Sequence, residues 1–136
     1  MSQQGIENFP PISPDVERIG KMCLDAAFKV HSSLGPGLLE SVYEKVLSYE
    51  LTKRELLVES QKILPLNYDN IQMDTGLRLD ILVENCVVLE LKAVEKMIPL
   101  YEAQLLTYLR LSGIRLGYLI NFNVAHLKTG IKRMVV

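Results

Sequence analysis

Arg78-Leu79-Asp80-Ile81-Leu82-Val83-Glu84-Asn85-Cys86-Val87-Val88-Leu89-Glu90-Leu91-Lys92 is the stretch whose reading decides the fold. Its two apolar runs, rich in Leu, Ile and Val, read as strands of a buried sheet joined through Glu84-Asn85-Cys86. Three charges, Asp80, Glu90 and Lys92, interrupt them. An unpaired charge in a core is expensive, so such residues are kept where they are paired, bound to a metal or used in chemistry.

Register decides which of these applies. Side chains alternate along a strand, so Glu90 and Lys92 share one face while Leu89 and Leu91 share the other. Directly opposed residues of an antiparallel pair point to the same side. A three-residue loop pairs Val83 with Val87 and brings Asp80 opposite Glu90; a two-residue loop separates the carboxylates onto opposite faces. Two adjacent carboxylates repel and raise each other's pKa, and a hard divalent cation such as Mg2+ or Mn2+ relieves them. Lys92, one pleat beyond Glu90, can hold or help deprotonate an attacking water, or stabilise charge on a phosphate. The plainer alternative is an ion pair of Lys92 with Glu90 or Asp80 at a sheet edge.

Working outward, residues 1–14 carry Pro10, Pro11 and Pro14 and read as an N-terminal arm, with a single domain over 15–136. Ser13 or Asp15 caps a helix whose apolar residues, from Val16 and Ile19 to Val30 and Leu34, recur at three- and four-residue steps. Gly35-Pro36-Gly37 ends it. A second helix is expected over about Leu38–Arg54, with Leu39, Val42, Tyr43, Val46, Leu47 and Leu51 on its apolar side. Leu56–Ser60 and Ile63–Tyr68 read as one strand or a bent pair, with turns at Asp69-Asn70 and Asp74-Thr75-Gly76. Leu77–Val83 and Val87–Lys92 form the hairpin. A helix over Leu100–Leu111, ended by Gly113, precedes a buried strand over Ile114–Phe122. Ile131–Val136 is a short strand or an unpaired end. This order is an α/β sandwich with a mixed sheet.

The 136 residues carry a net charge of −1, from 15 Lys and Arg against 16 Asp and Glu, so composition gives no support for a nucleic-acid coat protein. No apolar run is long enough to span a bilayer, and Met1–Phe9 lacks the pattern of a secretory signal; a cytoplasmic protein without membrane contact is expected. Cys23 and Cys86 show no metal-binding spacing and read as reduced thiols.

Asp80 followed by Glu90-Leu91-Lys92 resembles the D…(D/E)-x-K signature of the PD-(D/E)XK nuclease superfamily. Gln104-Leu105-Leu106-Thr107-Tyr108 resembles the QxxxY motif of its RecB-like branch. Gly37-Leu38-Leu39-Glu40-Ser41-Val42-Tyr43 is similar to the GxxExxY signature of a family of small bacterial proteins in that superfamily, as are Glu90–Lys96 and Leu119–Asn123. Three motifs in this order are more specific than any alone. The resemblance implies a restriction-endonuclease-like αβββαβ core, a mixed sheet flanked by helices. It implies that Asp80, Glu90 and the backbone carbonyl of Leu91 hold Mg2+ or Mn2+, and that Lys92 positions or activates the water. Glu40 would complete the metal or water shell. Gln104 would reach the site, and Tyr108, one turn further, would reach substrate or Gln104.

The function expected is hydrolysis of phosphodiester bonds, in DNA before RNA. The alternative is a non-catalytic accessory module that binds nucleic acid or protein on the same fold. Self-association or a protein partner would supply specificity that so small a chain lacks. Beside these readings stand plainer ones: Glu40 as an acid favoured at a helix start, Gln104 as a solvated residue, Tyr43 as a packing residue, and His31 and His126 as structural or exposed. Lys128, Lys132 and Arg133 read as a solvated charged tail.

Overall fold

The computed structural model describes residues 9–136, so the first eight residues of the expected arm lie outside it. Residues 9–13 have no regular structure, and the Arg115 guanidinium holds the carbonyls of Pro10 and Pro11. Helix α1 (Pro14–Leu34) begins where Ser13 Oγ accepts the Val16 N–H, with Pro14 at the first helical position. Its Ile19, Cys23, Ala26, Ala27 and Val30 stripe is buried. Helix α2 (Glu40–Lys53) starts two residues later than the apolar pattern suggests. Leu39, 74% exposed, and Val42 stand outside the core, whereas Tyr43, Leu47 and Leu51 are fully buried. Periodicity alone widens the apolar stripe of a helix whose first turn overhangs the sheet.

Five strands form one mixed sheet in sequence order: β1 (Val58–Tyr68), β2 (Ile71–Val83), β3 (Val87–Lys92), β4 (Leu116–Asn121) and β5 (Ile131–Val135). β3 and β4 are parallel and are joined through helix α3 (Pro99–Ser112), the crossover that parallel neighbours require. Gly113 caps α3 in the left-handed region at φ 76°. A 3-10 turn (Leu127–Gly130) leads into β5, so the C-terminal segment is a paired strand. Helices α1 and α2 cover the sheet face bearing Val87, Leu89, Leu91 and Tyr118, and α3 covers the face of Val88 and Leu119. The expected αβββαβ order is present, with an extra helix and an extra strand.

The first hairpin corrects the reading of its turns. Asp69-Asn70, both at positive φ, form the two-residue loop, since Tyr68 pairs with Ile71. Asp74-Thr75-Gly76 is no turn: it lies inside β2, where Pro65 pairs with Gly76 but Leu66 pairs with Met73. Asp74 and Thr75 are therefore extra residues of a bulge. A side chain at Gly76 would meet Leu66 Cβ at 2.9 Å, which explains the glycine. The last strand of the expected core is shorter than Ile114–Phe122, because the chain enters it only at Leu116.

Candidate active site

Val83 pairs with Val87 across Glu84-Asn85-Cys86, so the loop has three residues and the register brings Asp80 opposite Glu90. Glu84 and Asn85 both take positive φ, and Cys86 N–H closes the turn on Val83 O. The β2–β3 ladder ends at Ile81↔Leu89. Beyond it side chains replace the ladder: Asp80 N–H donates to Glu90 Oε1 at 3.1 Å, and Leu91 N–H donates to Asp80 Oδ2 at 2.9 Å. In a strand the carbonyl leaves the chain on the same side as its own N–H. The Leu91 carbonyl is thus directed toward the same fork as the Asp80 carboxylate.

Glu40, Asp80, Glu90, Lys92, Gln104 and Tyr108 all line one open cleft of about 700 Å³. Sequence places them on α2, β2, β3 and α3; the fold brings every one of them together. Ile63, Asp74, Thr75 and Arg78 of the first hairpin form the remaining wall. Glu90 is 5% exposed. Its burial, and then the charge of Asp80, push its carboxyl up to about 8, against the Asp80 amide and Lys92, which oppose the rise. Burial, followed by the Asp80 charge, also raises Glu40, with Lys92 opposing.

Lys92 is half-buried, and no ion pair joins it to a carboxylate among the described residues. Its Nζ lies 4.3 Å from the centre of the Tyr101 ring. The plain ion-pair reading of Lys92 is therefore not what the fold adopts. Gln104 Nε2 donates to Tyr108 Oη at 3.2 Å, as residues one turn apart allow.

Tyr43 is a packing residue with a second task. Its ring stacks on Phe122 at 4.6 Å, and its hydroxyl donates to Gly35 O at 2.6 Å while accepting the Leu38 N–H at 3.2 Å. These bonds strap the Gly35–Leu38 turn that delivers Glu40 to the cleft. Tyr43→Phe is expected to lower stability by about 1–2 kcal/mol, read by urea denaturation. An unchanged midpoint would show that the strap carries no load.

Asn121 lies in the Leu119–Asn123 stretch that carries the family resemblance, but the sequence assigns it no role of its own. It is 2% exposed; its Oδ1 accepts from Val94 and Asn123 N–H, and its Nδ2 donates to Val94 O. It ties the chain just past Lys92 to the end of β4. His31 is structural, bonded to Val124 O at 2.8 Å, and His126 is exposed. Both cysteines are free, and burial pushes Cys23 up to about 12, an unreactive thiol. In the tail, Arg133 pairs with Glu17, and Lys132 with Glu102 at 3.7 Å.

Among the described residues no three His, Cys, Asp or Glu side chains gather closely enough to hold a metal by themselves. Two carboxylates, one backbone carbonyl and open space instead make an all-oxygen donor set, which suits a cation that keeps several waters. The buried, mutually repelling Asp80–Glu90 pair fits such a cation.

A mixed sheet that forks between two strands, with an acid on each and a lysine one pleat on, defines an α/β protein of the PD-(D/E)XK arrangement. A model of the PD-(D/E)XK nuclease superfamily matches residues 17–134, and the chain belongs to that superfamily. Its members typically depend on a divalent metal. No curated protein and no solved structure matches the chain. No helix among the described residues is long and apolar enough to cross a membrane.

Proposed function

We propose that this protein is a Mg2+- or Mn2+-dependent nuclease that hydrolyses phosphodiester bonds, in DNA before RNA. The observation that carries the reading is the convergence of Asp80, Glu90 and Lys92 with Glu40 and Gln104 in one cleft. Asp80, Glu90 and the Leu91 carbonyl would hold the cation, with Glu40 completing the metal or water shell. When bound, the cation neutralises charge on the phosphate and favours ionisation of water. Lys92, free of ion pairs among the described residues, orients the attacking water and steadies the charge that grows on the phosphoryl oxygens. Gln104 and Tyr108 contact the substrate strand. A second hollow of about 460 Å³ shares Lys92, Gln104 and Tyr108 with the cleft and gives that strand room beside the cutting position. Gly37, Glu40 and Tyr43 support a place in the GxxExxY family: the structure gives each a part in the turn, the cleft or the strap. The reading includes action in the cytoplasm.

The test is purified protein with Mn2+ or Mg2+ on plasmid, single-stranded DNA and RNA, beside calorimetry of Mn2+ binding. Cleavage that needs the cation is expected. Because binding must displace the proton that Glu90 retains below about 8, affinity should fall up to ~10-fold per pH unit below that value. A folded protein that binds Mn2+ but cuts nothing points to the accessory-module reading. One that binds no Mn2+ ends the metal reading.

A further inference from the structure

Gln61 stands within β1, a strand at the sheet edge, with a left-handed backbone at φ 52°. Glutamine has no special liking for that region, so the surrounding structure imposes it. Ser60 pairs with Ile81 and Lys62 with Leu79, while the pair between them, Gln61 and Asp80, drops out of the ladder. Both strands change face here. On β1, Val58 packs toward α1 and α2, but Leu64 packs toward α3; on β2, Ile81 and Leu79 divide in the same way. Residues an even number apart share a face in a regular strand, so the pair of strands rolls over at Gln61 and Asp80. At that point the Asp80 N–H serves Glu90 Oε1 rather than β1. The Gln61 side chain leaves the strand for α2, where Nε2 donates to Glu44 Oε1 at 2.5 Å. Irregularities of this kind re-aim side chains beside active sites.

We propose that Gln61 is a positioning residue for the acidic pair: its left-handed backbone rolls β1 and β2 over at Asp80 and thereby sets the Asp80–Glu90 fork. The proposal rests on the reading of that fork as a metal site. Glycine adopts this conformation freely and asparagine readily, whereas a β-branched residue resists it. With valine at position 61 the strand regularises, the Asp80 N–H returns to the β1 ladder, and the fork closes.

The experiment compares the whole chain with its Gln61→Gly, Gln61→Asn and Gln61→Val variants. Mn2+ affinity is read by electron paramagnetic resonance, and the Asp80 and Leu91 amide shifts by NMR without metal. Gln61→Gly and Gln61→Asn should keep affinity within ~3-fold and leave both amides in place. Gln61→Val should lose ~10-fold or more and displace both amides while still melting cooperatively. Wild-type affinity and unshifted amides in Gln61→Val overturn the proposal. So does a folded Gln61→Gly that loses as much as Gln61→Val, since the effect would then lie in the side chain. If Gln61→Val does not fold, the glycine and asparagine variants decide by the same two readouts. A wild-type protein that takes up no Mn2+ sinks the metal reading instead, and the amide comparison alone then rules on Gln61.

Discussion

On the proposed function, Asp80→Asn and Lys92→Ala are each expected to reduce metal-dependent cleavage by ~10³-fold or more, for different reasons. Asp80 touches the fork directly, through the Leu91 amide. Its amide replacement keeps shape but gives up the charge that draws the cation, so Mn2+ binding falls together with cleavage. Lys92 lies outside the acidic pair, with its amine over Tyr101. Removing it takes away a repelling charge, so Mn2+ binds at least as well while cleavage is lost. Stability should fall by no more than about 2 kcal/mol, since that is the upper range for a half-buried cation–aromatic contact. The decisive measurement is therefore the pair of readouts: calorimetry separates the two variants and the cleavage assay does not. A Lys92→Ala protein that cuts at the wild-type rate would remove lysine from the chemistry.

Glu90→Gln carries the second large effect, and its sign is opposite for stability and for function. The folded protein holds the Glu90 proton up to about pH 8, while an unfolded carboxyl near its ordinary value of 4.5 has released it. The group's contribution is complete below the unfolded value and is lost as pH rises through the folded one. Above that window the metal-free protein must bury a charge next to Asp80. Glutamine keeps the Oε1 acceptor for the Asp80 N–H and cannot ionise. Metal-free Glu90→Gln should thus be more stable than wild type by roughly 2 kcal/mol or more at pH 9, and nearly equal to it at pH 5. Saturating Mn2+ should reverse the order, because only the wild-type site gains binding energy. Melting curves at the two pH values, with and without Mn2+, check this. Identical curves at pH 9 would mean that Glu90 carries no buried charge.

Much of this site is legible in the sequence because it hangs on one loop. Three residues between Val83 and Val87 fix the register, and the register places Asp80 against Glu90. Glu40, Gln104 and Tyr108 follow from motif resemblance, helical spacing adding only that Gln104 and Tyr108 share a face. Other features are hidden for physical reasons. Asp74-Thr75-Gly76 has the chemistry of a turn, yet the same residue types serve a bulge, and only pairing across the sheet tells the two apart. Gln61 is invisible because its backbone is set by tertiary structure against its own preference. The role of Asn121 cannot be read because its distant partner, Val94, meets it only once β3 and β4 are side by side. Leu39 and Val42 show the reverse error, apolar residues assigned to a core that the fold does not extend to them.

The first hairpin runs well past the sheet: of the thirteen residues of β2, only Ile81, Leu82 and Val83 pair with β3. Such a ribbon offers an outer edge that a second chain could extend, the usual start of sheet-to-sheet aggregation. Pro65 sits in that edge strand and has no amide hydrogen to donate. Lys62 and Glu59, paired on one side of it at 2.8 Å, add charge that a joining strand would have to desolvate. The protein can thus stand a long two-stranded wall beside its cleft without presenting its neighbours with a template to grow on.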